Sequence, residues 1–262
     1  MSQLVLVVED NPINQKVTIG LLQGAGYTTD LAVDGLEAIL AYRRKTYDLV
    51  VMDCQMPRCD GWEATRAIRR LEASTGRRVP IIALTAQALA GDREKCLNAG
   101  MDDYLTKPVD GELFITAVHT RLGRPAAPGN SSAGIGSGPA VAVHDQPLID
   151  QGVIRNLRQY GQDTVTEVFT LLLKDLPGLR DRLEQAIAQA DPAEVAKVAH
   201  RLKGGCGTAG VVALAKAMDR LDRQANAGDS AALALAWPSI EILIAQTTVA
   251  IRALAEGREA KP

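Results

Sequence analysis

Strand-like and helix-like segments alternate five times between residues 4 and 122, and this restricts the fold of the 262-residue chain more than any other feature. Strands are predicted at Leu4–Val8, Thr28–Ala32, Asp48–Met52, Ile81–Leu84 and Met101–Leu105. Helices are predicted from Pro12 to about Gly24 and over residues 34–45, 63–71, 92–99 and 110–122. Because parallel strands need crossover connections, the pattern predicts an α/β fold with a doubly wound, five-stranded parallel sheet.

The composition changes after this region. From Arg124 to Gln146, Pro, Gly, Ala and Ser dominate, as in "RPAAPGNSSAGIGSGPA". Such a segment has too little apolar surface to offset its ordering entropy, so we expect a flexible linker. The predicted organisation is a first domain over residues 1–123, a linker over 124–146 and a second domain over 147–257.

The second domain shows only the apolar spacing of helices. Helices are predicted at Gly152–Tyr160, Asp163–Gln189, Pro192–Lys203, Val211–Ala225 and Ser230–Glu256. Pro177 and Gly178 are expected to break or bend the second helix, because proline lacks an amide donor. Short connections favour an antiparallel four-helix bundle, so the whole chain is predicted to be α/β plus all-α.

Composition argues against several classes of protein. A net charge of -2 gives no electrostatic reason to expect a nucleic-acid partner, and 3% aromatic residues leave few platforms for base stacking. The four cysteines lack metal-ligand spacing and fit a reducing compartment, so we expect a cytoplasmic location. We expect no direct membrane contact, because Pro238 and Glu241 keep the C-terminal apolar run below the ~18 residues of a membrane helix.

Charged and hydroxyl side chains are concentrated at the carboxyl ends of the predicted strands. Glu9 and Asp10 follow the first strand, Asp53 the third, Thr85 the fourth and Lys107 the fifth. In open α/β sheets these ends share one edge, where ligands bind. Adjacent carboxylates repel unless a cation neutralises them, and an all-oxygen set suits Mg²⁺. A lysine beside the carboxylates indicates a further anion, such as a phosphoryl group in transfer.

The segments "VVEDNPINQKV", "VMDCQMPRCDGWEATRAIR", "ALTA" and "DDYLTKP" together resemble the receiver domain of two-component response regulators over residues 3–122. The resemblance implies that Asp53 is phosphorylated as an acyl phosphate. It also implies that Asp10, Asp53 and the backbone carbonyl of Gln55 bind Mg²⁺, with Glu9 in the same acidic pocket.

The resemblance assigns roles to the remaining residues at this edge. Lys107 would pair with the phosphoryl group, Thr85 would donate a hydrogen bond to it, and Tyr104 would be the switch aromatic that turns inward when Thr85 moves. The Lys107–Pro108 bond would be cis. Arg58 departs from the family pattern in the loop after "QMP" and is expected to touch either a partner or the phosphoryl group.

The segment "DPAEVAKVAHRLKGGCGTAG" contains the most informative helix of the second domain. His200 lies opposite the apolar side formed by Val195, Val198, Ala199, Leu202 and Cys206. Glycine is unfavourable inside helices, so Gly204 and its glycine neighbours indicate either a close approach to the backbone or a helix end after Lys203. The motif "AHRLKGGCGTAG" resembles the signature of histidine-containing phosphotransfer (HPt) domains. It implies that His200 is phosphorylated on a ring nitrogen, that Lys203 holds the phosphoryl oxygens and that Gly204 leaves room for them.

Together the two resemblances imply a His–Asp phosphorelay. A histidine kinase core would donate to Asp53, and His200 would exchange the phosphoryl group with the aspartate of a response-regulator receiver domain. Transfer between Asp53 and His200 of one chain is sterically allowed, because a flexible linker over residues 124–146 has an r.m.s. span of ~26 Å. We find no ATP-binding motif, and the domain order resembles the C-terminal end of a hybrid sensor histidine kinase, whose parent protein would be anchored in the inner membrane.

Three alternatives remain open at this point. The chain could be a free-standing receiver–HPt protein. It could be an interaction module, gated by phosphorylation, that passes no phosphoryl group onward. It could also be a flavin-binding α/β protein, although the acidic strand ends disfavour an anionic flavin phosphate.

Overall fold

The computed structural model describes residues 2–73, 75–85, 90–123, 147–159 and 162–256. The described residues form two compact units, one α/β and one all-helical, as the sequence predicts. The predicted linker, residues 124–146, lies outside the described residues, as do Tyr160 and residue 257. The predicted domain boundaries therefore stay a prediction.

The first unit is a five-stranded, all-parallel sheet flanked by five helices, which confirms the predicted fold. The strands are β1 (Leu4–Val8), β2 (Thr28–Ala32), β3 (Leu49–Asp53), β4 (Ile81–Thr85) and β5 (Asp103–Thr106). The helices are α1 (Pro12–Gly24), α2 (Gly35–Arg44), α3 (Gly61–Glu72), α4 (Ala90–Ala99) and α5 (Gly111–Arg121). The strand order β2-β1-β3-β4-β5 places the topological switch point between β1 and β3, where ligands of such sheets bind.

The central strands are apolar because both faces of the sheet are covered. All residues of β3 and β4 are buried, including Asp53 and Thr85 at their ends. The sequence pattern ended β3 at its last apolar residue, Met52, whereas Asp53 continues the strand in register with Leu84. The carboxylate is therefore held by a regular strand and not by a loop.

In the first unit, side-chain caps set where four of the helices begin. Asn11 accepts a hydrogen bond from the amide of Ile13 at the start of α1. Asp34, Asp60 and Asp110 accept hydrogen bonds from amides in the first turns of α2, α3 and α5. These side chains satisfy amides that have no partner within the helix. The caps therefore fix the lengths of loops at the carboxyl edge of the sheet.

The second unit contains five helices: α6 (Gln151–Gln159), α7 (Gln162–Ala188), α8 (Pro192–Thr208), α9 (Val212–Asn226) and α10 (Ser230–Ala255). The four long helices α7–α10 each pack against their two neighbours in a closed ring. The pairs His200–Asp222 and Lys203–Asp219 show that α8 and α9 are antiparallel, because an advance of three residues on one helix matches a retreat of three on the other. The predicted four-helix bundle is confirmed, with α6 as an additional helix.

Two helices are more continuous than the sequence pattern predicts. α7 runs through Pro177 without a break. α8 continues through its glycines to Thr208, so an end of the helix after Lys203 is wrong. The apolar side of α8 remains buried as far as Cys206. Packing of this side outweighs the helix-breaking tendency of the glycines, since tertiary contacts supply most helical stability.

One helix of the described chain, α10, is long and apolar enough to cross a membrane by length and composition alone. This corrects the sequence argument, because Pro238 lies inside α10 and does not interrupt it. The observation is weak support for a membrane span, because core helices pass the same test. α10 packs along α7 and α9, with Leu233, Ile240, Ile244 and Ile251 buried. It therefore forms one wall of the bundle.

Candidate functional site

Glu9, Asp10 and Asp53 form an acidic cluster at the carboxyl edge of the sheet, where their ligand oxygens all lie within 4.8 Å of one another. Glu9 and Asp10 follow β1 directly, and Asp53 ends the adjacent strand β3. It is the one group of carboxylate, histidine or cysteine side chains in the described residues that could hold a metal ion. Hard oxygen ligands of this kind suit Mg²⁺.

Lys107 reaches this cluster from the segment after β5. Its Nζ lies 2.5 Å from Oε2 of Glu9 and 2.8 Å from Oδ2 of Asp53. The backbone amide of Lys107 donates to the carbonyl of Thr85 at 2.7 Å, which ties the segment to the end of β4. The predicted cis bond between Lys107 and Pro108 is confirmed. Residues that follow or end β1, β3 and β5 therefore converge on one small volume, and the end of β4 is hydrogen-bonded to the segment that carries Lys107.

Burial dominates the electrostatics of the acidic cluster. It raises the pKa of Glu9 to about 8; Lys107 opposes this shift, and the nearby charge of Asp53 adds to it. Burial also disfavours the charged form of Lys107, but Glu9 and Asp53 outweigh it and raise the pKa of the ammonium above its ordinary value. One ammonium cannot neutralise three adjacent carboxylates, so the site is arranged to take up a proton or a further cation.

The two oxygens of Glu9 have different partners. Oε1 accepts from the side-chain amide of Asn14 at 2.9 Å and from the backbone amide of Asn11 at 3.2 Å, whereas Oε2 faces Lys107. Protein donors thus occupy both oxygens, which fits an outer position for Glu9 in a metal site. Asn14 was missed by the sequence analysis. Its only sequence signal is a polar residue in the first turn of α1.

The other predicted site residues differ in burial, and one of them, Gln55, contacts Asp53 directly. Gln55 is exposed, and its amide donates to Oδ1 of Asp53 at 3.1 Å. Thr85 is buried at the end of β4. Tyr104 is partly buried against the apolar core and pairs in register with Ala83 of β4.

Arg58 has a structural partner in the residue that caps α2. It forms an ion pair with the buried carboxylate of Asp34, and its φ of 70° is in the left-handed region. The adjacent carbonyl of Cys59 accepts a hydrogen bond from the amide of Gly35 at 3.2 Å. The loop after Asp53 is therefore anchored to the start of α2.

Gly61 is a further residue that the sequence analysis missed. A Cβ at this position would lie 2.1 Å from the carbonyl oxygen of Asp53, and the amide of Gly61 donates to the carbonyl of Cys54 at 3.1 Å. The start of α3 thus rests directly on the backbone that carries Asp53. In the sequence, "CDGWEATRAIR" indicates only a capped helix start, with Asp60 as the cap.

His200 lies in the middle of α8 with 32% of its side chain exposed. Its Nδ1 is 3.4 Å from Oδ2 of Asp222 on α9. Asp222 is itself held by the side-chain amide of Asn226, which donates to Oδ1 at 2.8 Å. With Nδ1 facing Asp222, the second ring nitrogen, Nε2, is the one not engaged by this carboxylate.

Lys203 lies one turn after His200 and donates to Oδ1 of Asp219 at 2.6 Å. Gly204 is half-buried. Asp219 and Asp222 were missed because the sequence analysis considered α8 without its partner helix. Their spacing of three residues on α9 matches the spacing of Lys203 and His200 on α8, but that signal appears only once α8 and α9 are known to pair.

Comparisons with known proteins give family matches for both halves of the chain. Residues 5–119 match the response regulator receiver domain, and residues 167–257 match the Hpt domain. The signal transduction histidine-protein kinase BarA of Shigella flexneri is 31% identical over 231 residues, which is 87% of this chain and 24% of that protein. The sensor protein GacS of Pseudomonas syringae is 34% identical over 224 residues, which is 83% of this chain and 24% of that protein. The chain spans about a quarter of the length of these relatives.

A solved structure is also similar to part of this chain. The receiver domain of a sensor histidine kinase from Pseudomonas aeruginosa, with a magnesium ion coordinated in its active site cleft, is 49% identical. It covers 47% of this chain and 99% of that chain at a TM-score of 0.44. On the sequence matches, the chain belongs to the two-component phosphorelay proteins and joins a response regulator receiver domain to an Hpt domain, as in the corresponding region of the BarA and GacS kinases.

Proposed function

We propose that this chain relays a phosphoryl group through two of its own residues, Asp53 in the receiver domain and His200 in the Hpt domain. The observation that carries the proposal is the carboxylate of Asp53 at the end of β3, 2.8 Å from the ammonium of Lys107 and beside Glu9 and Asp10. In this environment a carboxylate oxygen can attack phosphorus while an adjacent cation compensates the charge of the phosphoryl oxygens.

In the receiver domain, an oxygen of Asp53 attacks the phosphorus of a phosphohistidine supplied by a histidine kinase core. The P–O bond forms, the P–N bond breaks, and the electron pair returns to the donor imidazole. Lys107 pairs with the transferred oxygens, and Thr85 donates a hydrogen bond to one of them. Tyr104, partly buried next to β4, is the residue that we expect to respond to a movement of Thr85.

Asp10, Asp53 and the backbone carbonyl of Gln55 would hold Mg²⁺, with Glu9 in the surrounding shell. The acidic cluster fits this ion, because its oxygens converge within 4.8 Å. When bound, Mg²⁺ neutralises negative charge on the phosphoryl oxygens during transfer. The chain's own contribution is to fix the ligand oxygens on strand ends and to keep Lys107 beside Asp53.

In the Hpt domain, Nε2 of His200 is the nucleophile that collects the group from an aspartyl phosphate. Asp222 orients the ring through Nδ1, and Lys203 and Gly204 border the site one turn away. The domain needs no base of its own, because an approaching receiver brings its metal ligands and lysine. His200 then passes the group to the aspartate of a separate receiver domain, or exchanges it with Asp53 of its own chain.

We propose the corresponding partners and location. The upstream partner is a histidine kinase core, and the downstream partner is a response-regulator receiver domain. A hybrid sensor histidine kinase, anchored in the inner membrane, is the expected parent protein. A cytoplasmic location is supported by the four buried cysteines, which form no disulfide among the described residues, since reducing compartments keep thiols reduced.

The test loads the chain with acetyl phosphate and Mg²⁺, removes the excess acetyl phosphate by desalting, and then adds a purified receiver domain. We compare wild type, Asp53→Asn and His200→Gln on a phosphate-affinity gel, with His119→Gln as a matched histidine control in the receiver domain. We expect an acid-stable label on Asp53, an acid-labile label on His200 and onward transfer that requires His200. Onward labelling that is unchanged in His200→Gln would leave the interaction-module alternative as the better account.

A further inference from the structure

We propose that Asp219 sets how strongly the Hpt domain holds a phosphoryl group relative to a receiver aspartate, because it competes with the phosphoryl oxygens on His200 for the ammonium of Lys203. This inference rests on the proposed function, in which His200 carries that group. It assigns to Asp219 a positioning role that acts through Lys203.

Two contacts join α8 to α9 around the phosphorylation site. Asp222 faces His200 at 3.4 Å, and Asp219 accepts a hydrogen bond from Lys203 at 2.6 Å. Residues three apart share one face of a helix, so Lys203 lies on the same face as His200, one turn further along α8. The ammonium that should hold the phosphoryl oxygens is therefore already paired with a carboxylate.

The pair of Lys203 and Asp219 is shielded more than an ordinary surface ion pair. Lys203 is 20% exposed and Asp219 is 32% exposed. The second partner of Asp219, Arg223, is 70% exposed, so solvent screens its charge. Partial burial disfavours the carboxylate, but Lys203 and Arg223 outweigh it and lower the pKa of Asp219. Asp219 is therefore ionised at neutral pH and binds Lys203 as a charged partner.

This pairing affects the transfer step in a defined way. The lone pair of His200 Nε2 forms the P–N bond, the P–O bond to the donor aspartate breaks, and that carboxylate leaves with the electron pair. The proton on Nδ1 stays between the ring and Asp222. The phosphoryl oxygens must then share Lys203 with Asp219, so phosphohistidine is stabilised less and the group passes more readily to the next aspartate.

The experiment uses the full chain, acetyl phosphate, Mg²⁺ and a separate receiver domain, and measures the fraction of acid-labile label on His200 at equilibrium. Asp219→Asn should increase that fraction relative to aspartyl phosphate by about tenfold, or about 1.4 kcal/mol. Asp219→Glu should restore the wild-type ratio. Asp181→Asn is the matched control, because it removes an exposed carboxylate from α7 of the same bundle.

A double variant separates competition from a merely structural role. In a Lys203→Met background, Asp219→Asn should leave the ratio unchanged, and thermal melts should show that each variant is folded. An equal or smaller His200 label in Asp219→Asn than in wild type would overturn the inference while leaving the relay intact. A wild-type chain that labels Asp53 but never His200 would contradict the proposed function itself.

Discussion

The substitution Gly61→Ala tests how closely the phosphorylatable aspartate is held by the fold. The new methyl carbon would lie 2.1 Å from the carbonyl oxygen of Asp53, and an ordinary contact needs at least 3.4 Å, so α3 and β3 must separate by about 1.3 Å. Overpacking of this kind costs about 1–3 kcal/mol, whereas alanine gains at most about 1 kcal/mol as a helix former. We expect the α/β unit to melt roughly 5 °C lower and Asp53 to be phosphorylated at least tenfold more slowly, on the order expected for an ångström-scale displacement.

The measurement follows Trp62 fluorescence during thermal unfolding in a Trp237→Phe background, so that only the α/β unit is reported. Gly20→Ala is the matched control, because Gly20 lies in α1 and a Cβ there meets nothing within 4 Å. That variant should be as stable as wild type or more stable, by up to about 1 kcal/mol. If Gly61→Ala melts at or above the wild-type temperature while phosphorylation is unchanged, the proposed contact with Asp53 is not rigid and the reasoning fails.

Three further predictions concern the charged groups. Without divalent cations, the unfolding free energy of the α/β unit should fall as the pH rises from 4.5 towards about 8. The reason is that Glu9 keeps its proton in the folded state over this range and loses it in the unfolded state. Urea titrations at several pH values should show this slope in wild type and not in Glu9→Gln. Lys107→Met should tighten Mg²⁺ binding in calorimetry, because the carboxylates lose a competing cation, yet slow phosphorylation of Asp53 by at least about tenfold; weaker Mg²⁺ binding would contradict this. Asp222→Ala should slow phosphoryl uptake by His200 by about tenfold, with Asp53 labelling unchanged on the same gel; an unaffected uptake rate would exclude an orienting role for Asp222.

Local patterns predicted most of the architecture. The central strands are continuous apolar runs because both faces of the sheet are covered, and this made them visible in the sequence. The end of β3 was predicted one residue too early, at Met52, since a charged side chain at a strand end looks like the start of a loop. The predictions of a break at Pro177 and of a helix end after Lys203 were wrong for a related reason. Local helix-breaking tendencies are weak compared with the packing of an apolar face in a bundle.

The acidic cluster at the carboxyl edge of the sheet could be predicted from the sequence because one geometric rule applies. Carboxyl ends of parallel strands meet at one edge, so Glu9, Asp53 and Lys107 were expected near one another before any coordinates. No such rule relates α8 to α9. The partners of His200 and Lys203 depend on the rotation and register of two packed helices, which the periodicity of each helix alone leaves open.

The amino-acid sequence by itself determined the two fold classes and the set of groups available for chemistry, because these depend on periodicity and residue type. Only the tertiary structure decided the protonation tendency of Glu9, which comes from burial, and the contact of Gly61 with the backbone of Asp53. The tertiary structure alone also decided that Asp219 forms an ion pair with Lys203. Each of these depends on distances between residues far apart in the chain, and those distances are set when the elements pack.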